Sequence, residues 1–228
     1  MRTTAGSVGM LVLGLLAVAS CGPSDPPSTS PAPIGPLHPL PDPMVPDRGS
    51  VEAAIAERRS VRGFDGHPLS DAEVGQLLWA AQGITGPDGE RAAPSAGATY
   101  PLEVYVATAE GVAHYRVAEH ALDDHREGDL RAALAEAALG QGWIADAPLV
   151  VAITGVLERL EARYDERAER YLLLEAGHAA QNVLLQATTL ELVGVPVGAF
   201  DDDAVRAVLE LPADRQPLYL LPVGAPAG

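Results

Sequence analysis

The chain contains no lysine: all 15 of its basic residues are arginine. Schiff-base chemistry, including a pyridoxal-phosphate linkage, needs a lysine amine and is excluded. Only one cysteine is present, so no intrachain disulfide supports the fold. Neither a His-Glu metal-ligand motif nor a nucleophile elbow occurs, which argues against metal-dependent and serine hydrolases. Basic charge is scarce, with a formal net charge of −16 at pH 7 that becomes −17 when Arg2 is lost with a leader. That balance argues against nucleic acid as a partner and against docking on anionic lipid. An anionic ligand therefore needs a local basic site.

What is present begins with a leader. Arg2 precedes a run of Leu, Val, Ala and Gly from Met10 to Val18, too short to span a bilayer and typical of a secretory signal. It ends in Val18-Ala19-Ser20-Cys21, which resembles the lipobox of bacterial lipoproteins. The expectation is a signal peptide over 1–20, acylation of Cys21 and attachment to the cell envelope by the lipid alone. Gly22 after the cysteine resembles an outer-membrane address, on the periplasmic face. The signal lacks a twin-Arg pair, so the chain is expected to cross unfolded. Residues 21–49, dominated by Pro and Ser, read as the lipidated cysteine and a semi-rigid spacer. Residues 50–228 are long enough for one domain with a real core.

Within that domain, Val51, Ala54, Ile55 and Arg58 recur at helical spacing from Ser50 to Arg59. Ser70-Asp71-Ala72-Glu73 is a capping box before Val74, Leu77, Leu78 and Ala81, with Gly83 as the stop. Gly83 to Thr99 is a long irregular segment of small residues. Leu102–Thr108 and Val112–Val117 read as a hairpin. A polar loop containing His120, Asp123, Asp124 and His125 follows, expected to be exposed and not a zinc site. Asp129 then caps a helix to about Leu139. Leu149 to Ile153 is a continuous apolar run, hence a strand buried on both faces. Helical stretches over Leu157–Arg170 and Tyr171–Leu192 follow, the second apolar nearly all round and so destined for a core or an interface. A short helix over Asp201–Leu209 and a strand at Leu218–Leu221 complete a layered α+β domain.

The dense basic site is the heptad Arg58-Arg59-Ser60-Val61-Arg62-Gly63-Phe64. Its guanidinium forks suit phosphate, although arginines at a helix end also offset the macrodipole. His178 within the apolar helix reads as a hydrogen-bonded core residue or a catalyst. Tyr100 and Tyr164 are candidate proton donors, against plain packing.

Four segments in order, Arg58–Phe64, Pro94-Ser95-Ala96-Gly97-Ala98-Thr99-Tyr100-Pro101, Glu175-Ala176-Gly177-His178-Ala179-Ala180-Gln181-Asn182 and Pro196-Val197-Gly198-Ala199-Phe200, resemble the flavin-dependent nitroreductase superfamily. The second segment and Leu220-Leu221-Pro222-Val223-Gly224 look most like its branch of dehydrogenases related to azoline oxidases. The resemblance implies a layered α/β/α domain with a mainly antiparallel sheet, and a homodimer packed through its long helix with two FMN molecules at the interface. It implies an oxidoreductase acting on a small-molecule or peptide substrate. Arg58 and Arg59 would reach the FMN phosphate and Ser60 the ribityl chain or phosphate. Arg62 would lie at the pyrimidine edge, where reduction builds negative charge. Pro94, Ser95, Ala96 and Gly97 would come from the partner subunit, and in the cofactor-binding segment that starts at Pro196 the Gly198 or Ala199 backbone N–H would face flavin N5. Three departures stand out. Ala98 occupies a position where relatives commonly carry Asn, no arginine follows Arg215, and Arg163-Tyr164 replaces the Lys-Tyr pair of azoline oxidases. These leave a non-catalytic flavin- or ligand-binding lipoprotein on the same fold as the alternative.

Overall fold

A computed structural model of the chain describes residue 1, residues 35–43 and residues 50–228. The leader and Cys21 lie outside the described residues. The chain divides into two units, Met1–Ser30 and Pro31–Gly228, and the second carries every element below.

Strand β1 (Leu37–Pro39) precedes helix α1 (Val51–Glu57), which Ser50 caps by accepting from Ala53 N. Helix α2 (Asp71–Gln82) begins at the full capping box of Ser70 and Glu73 and stops at Gly83. Strands β2 (Leu102–Ala107), β3 (Gly111–Arg116) and β4 (Ala121–Glu127) form a meander, followed by helices α3 (Arg131–Ala137) and α4 (Trp143–Asp146). Then come β5 (Leu149–Gly155), α5 (Glu158–Tyr164), the long α6 (Ala168–Thr189), β6 (Val193–Gly194), α7 (Asp202–Val208) and β7 (Gln216–Gly224). The strands make one seven-stranded sheet in the order β1-β4-β3-β2-β5-β7-β6, antiparallel at every pairing.

Pleating sends alternate residues of the central strands to two cores. One face carries Val104, Val106, Val151, Ile153, Leu221 and Val223 against Leu77 and Leu78 of α2 and Leu172, Ala176, Ala179, Ala180 and Val183 of α6. The alanines let α6 lie close to the sheet. The other face carries Tyr105, Val150, Ala152 and Leu220 against Leu134 of α3, Ile144 of α4 and Val205 of α7. All seven residues of β5 are buried, and removing Ile153 beyond Cβ would cost about 2–5 kcal/mol. This is the expected layered α/β/α arrangement.

Two sequence expectations need correction. The polar stretch after β3 is not an exposed loop but strand β4, with Asp123 buried and His125 donating to the Leu209 carbonyl at 2.9 Å. The other concerns the Pro-rich spacer, whose residues 37–39 pair with β4 as an edge strand in register Leu37↔Asp123, His38↔Leu122, Pro39↔Ala121. Proline is tolerated there because an edge strand needs only one row of donors. His38 Nε2 bonds Asp124 Oδ2 at 2.9 Å, and His120 donates to the Pro41 carbonyl at 3.0 Å.

Candidate functional site

The heptad leaves α1 at Arg58, the helix C-cap, and runs extended along the sheet edge. Ser60 forms a parallel bridge with Gly194, Val61 N donates to the Gly194 carbonyl at 3.3 Å, and Phe64 pairs with Pro226. Gly194 is required by its packing on β7: a Cβ there would lie 2.9 Å from the Pro222 carbonyl oxygen. Arg59 turns back on the helix, its Nη1 donating to the carbonyls of Ala56 and Arg58 at 2.7 and 2.8 Å. In this structure Arg59 therefore does what a helix-end arginine does. Arg62 is exposed and lies over the Trp143 ring, 5.5 Å from its centroid. Gln141 Nε2 donates to the Ala199 carbonyl at 3.0 Å. The heptad, the Gln141–Trp143 turn and the exposed Pro196, Gly198 and Ala199 thus form one wall.

A second wall is built by Pro94–Tyr100. Gly97, Ala98 and Tyr100 all take left-handed backbone, with φ of 60, 54 and 45°. Ala98 and Tyr100 carry strain there that neighbouring contacts must offset. Ser95 Oγ accepts from Tyr100 N at 2.9 Å, Arg159 Nη1 donates to the Tyr100 carbonyl at 2.8 Å, and Arg163 Nη1 donates to the Gly97 carbonyl at 3.1 Å. Arg91 stacks on the Tyr100 ring at 4.4 Å. A side chain on Gly97 would meet Arg163 Nη1 and Tyr164 Oη, each at 2.6 Å. Tyr164 packs edge-on against Tyr171.

Beneath this wall are two buried carboxyls of opposite character. Burial alone pushes Glu103 up, but His114 Nε2 at 2.7 Å and Arg159 Nη2 at 2.5 Å outweigh it and hold the group at about 2. Glu175, on α6, is 2 % exposed and neither carboxylate oxygen has a well-formed hydrogen bond. Burial pushes it up to about 7, only partly opposed by the nearby Ser95 hydroxyl, the Arg91 charge and the Ala96 amide.

The structure thus brings Ser60 to Gly194 and Arg62 to Trp143, with Ala199 tied to the adjacent Gln141, and separately brings Gly97 to Tyr164. His178 does not join either wall as a buried group. It is exposed on α6, which overturns its reading as a core histidine. Sequence reasoning missed Gln141, Trp143, Arg91 and Arg159 as parts of the two walls. Glu175 stood inside a quoted motif without a role, since a lone Glu on a helix normally faces water.

The walls suit a flat anionic ligand. Arg58 and Arg62 form no ion pair among the described residues. At Gly198 an added Cβ would meet only Tyr219, at 3.7 Å, leaving room for a ring against the backbone.

Comparison with known proteins identifies the family. The nitroreductase family model matches residues 55–225. The nitroreductase-like protein MJ1384 of Methanocaldococcus jannaschii is 42% identical over 180 residues, covering 76% of this chain and 90% of that protein. Trifolitoxin operon protein TfxC of Rhizobium leguminosarum bv. trifolii is 28% identical over 192 residues, and this chain spans 54% of its length. A crystal structure of a nitroreductase-like protein of Ralstonia eutropha JMP134 superposes with a TM-score of 0.78 at 27% identity, covering 84% of this chain and 90% of that one. Since the match runs unbroken from α1 through both walls to the last strand, this oxidoreductase belongs to the nitroreductase family.

Proposed function

We propose that the protein is an FMN-dependent oxidoreductase, a homodimer in which the heptad wall of one subunit faces the Pro94–Gly97 wall of its partner. The observation that carries this reading is the separation of the two walls. One hangs on the β6 edge beside Leu184 in the second half of α6, the other on α5 and Glu175 in its first half. The nine residue steps from Glu175 to Leu184 span about 13 Å of helix axis, so a second copy is a natural way to oppose them. Leu173 and Leu174 on α6 are 53% and 50% exposed, apolar surface suited to that contact.

FMN supplies, when bound, a centre that accepts and returns hydride at N5. Arg58 would bind its phosphate with Ser60, and Arg62 would hold negative charge at the pyrimidine edge. The Gly198 and Ala199 backbone would lie against the ring, with Gln141 fixing the Ala199 carbonyl. Small residues at Ser95–Gly97 let the partner loop approach a flat surface. Tyr100 and Tyr164 are the candidate proton donors, and likeness to a trifolitoxin operon protein supports the branch reading. Export with acylation of Cys21, attachment to the outer membrane and a redox partner other than a nicotinamide complete the proposal.

A non-catalytic flavin-binding lipoprotein is the second reading. It is favoured by Ala98, which lacks a side-chain amide to bond a flavin. The purified protein is expected to be a yellow dimer, with Arg58→Ala and Arg62→Ala each weakening FMN binding about 10- to 100-fold, the worth of one charge-assisted contact. A colourless protein that ignores added FMN refutes the flavin assignment. Yellow protein inert toward artificial acceptors selects the second reading.

A further inference from the structure

The loop over Glu175 is held in an unusual way. Its exposed crown, Gly97 and Ala98, is left-handed, and the strain there and at Tyr100 is of a kind that persists only while neighbours impose it. The imposing contacts are peripheral: Arg163 at the Gly97 carbonyl, Arg159 at the Tyr100 carbonyl and Ser95 Oγ at Tyr100 N. Underneath sits a carboxyl with both oxygens sealed from solvent and neither well hydrogen-bonded. A charge in that position is only partly offset by the Ser95 hydroxyl, the Arg91 charge and the Ala96 amide, whereas a neutral carboxyl is tolerated.

From this geometry we infer that Glu175 is a positioning residue that couples the Pro94–Tyr100 loop to a proton: with the loop down the carboxyl is neutral, and lifting the loop hydrates it and releases the proton. Glu175 acts through Ser95 and Ala96, which lie against it. Arg91 is the charged side chain that acts on Glu175, and His178, three positions on along α6, is exposed to solvent. An arginine keeps its charge over this range, and Glu103 ionises near 2. Burial holds Glu175 near 7 in the loop-down state, so rising pH favours the lifted state. The sign follows from the loop-down state binding more protons. Combined with the FMN reading, on which only this consequence rests, the same loop faces the partner's ring, and substrate exchange becomes linked to proton release.

Amide hydrogen exchange of Ala98, Thr99 and Tyr100, corrected for intrinsic rates and measured without added flavin, tests this. Protection of the wild type is expected to fall up to tenfold per pH unit from about pH 5 to 7 and to level off above 7. Glu175→Gln is expected to remain protected and flat across that range. A flat wild-type profile, or a slope retained in Glu175→Gln, overturns the inference. Should Glu175→Gln fail to fold, carbon-detected titration of the wild-type Glu175 carboxyl decides: a midpoint near 7 supports the coupling, and an ordinary one near 4.5 overturns it. Failure to bind FMN alongside a sloping profile would refute the flavin reading alone.

Discussion

Replacing Glu103 by Gln removes a buried carboxylate that lies within 4 Å of three basic side chains. Among the described residues, Arg159 Nη2 lies 2.5 Å, His114 Nε2 2.7 Å and Arg215 Nη2 3.8 Å from its oxygens. The side chain is only 6% exposed, so solvent screens these contacts little. Holding the carboxyl at about 2 in place of its ordinary 4.5 corresponds to on the order of 3 kcal/mol favouring the ionised folded state. Because the folded group is the more acidic, this stability is fully present above pH 4.5. It is lost as pH falls toward 2. Glu103→Gln is therefore expected to cost about 3 kcal/mol at neutral pH, lowering Tm by roughly 6–12 °C for a domain of this size. Urea unfolding of both proteins at pH 7 and pH 3 is the assay, with roughly half of the difference remaining at pH 3. A Glu103→Gln protein as stable as the wild type, or a difference that ignores pH, would refute the reasoning. In the first case the three basic groups would have found water, and in the second the loss would be one of packing.

Gly97→Ala combines a left-handed φ of 60° with close approaches to Arg163 and Tyr164. It is expected to cost about 1–2 kcal/mol in urea unfolding and to speed amide exchange of the loop, and unchanged values would mean that the loop relaxes freely. Leu173→Glu with Leu174→Glu should convert the proposed dimer to a monomer in sedimentation velocity while leaving the circular dichroism of the fold intact, and persistence of the dimer would move the interface away from this face of α6.

Much of this architecture is readable from local chemistry. The capping box at Ser70 and Glu73 locates α2 to the residue because its signal is a hydrogen-bond pattern written within four positions. The apolar run at β5 is equally plain, since burial on both faces leaves no polar position to confuse the period. By contrast, β4 reads Ala-Leu-Asp-Asp-His-Arg-Glu and hides itself. Its polar groups are satisfied by distant residues, as when Asp123 accepts from Gly35 N, 88 positions away. The heptad and the small-residue loop are legible as candidate site segments because their residue types are uncommon in those arrangements. What holds them is not. Arg91, Arg159 and Glu175 become meaningful only when the sheet and α6 bring separate stretches together, and a single glutamate on a helix gives no local sign that packing has closed over it. His178 shows the reverse error, where apolar neighbours in sequence suggested burial and helix geometry turned the residue outward.

The docking of Leu37–Pro39 on Ala121–Glu127 also orders the assembly of the sheet in time. Strand β1 is made before the rest of the sheet among the described residues, yet its hydrogen-bonding partner appears only after the β2–β3 hairpin has been synthesised. Closing that long loop is entropically expensive until the meander exists to receive it. Strand β1 should therefore join only once the meander has formed, and until it does the nascent domain presents the open edge of β4 to whatever chaperone or neighbour it meets.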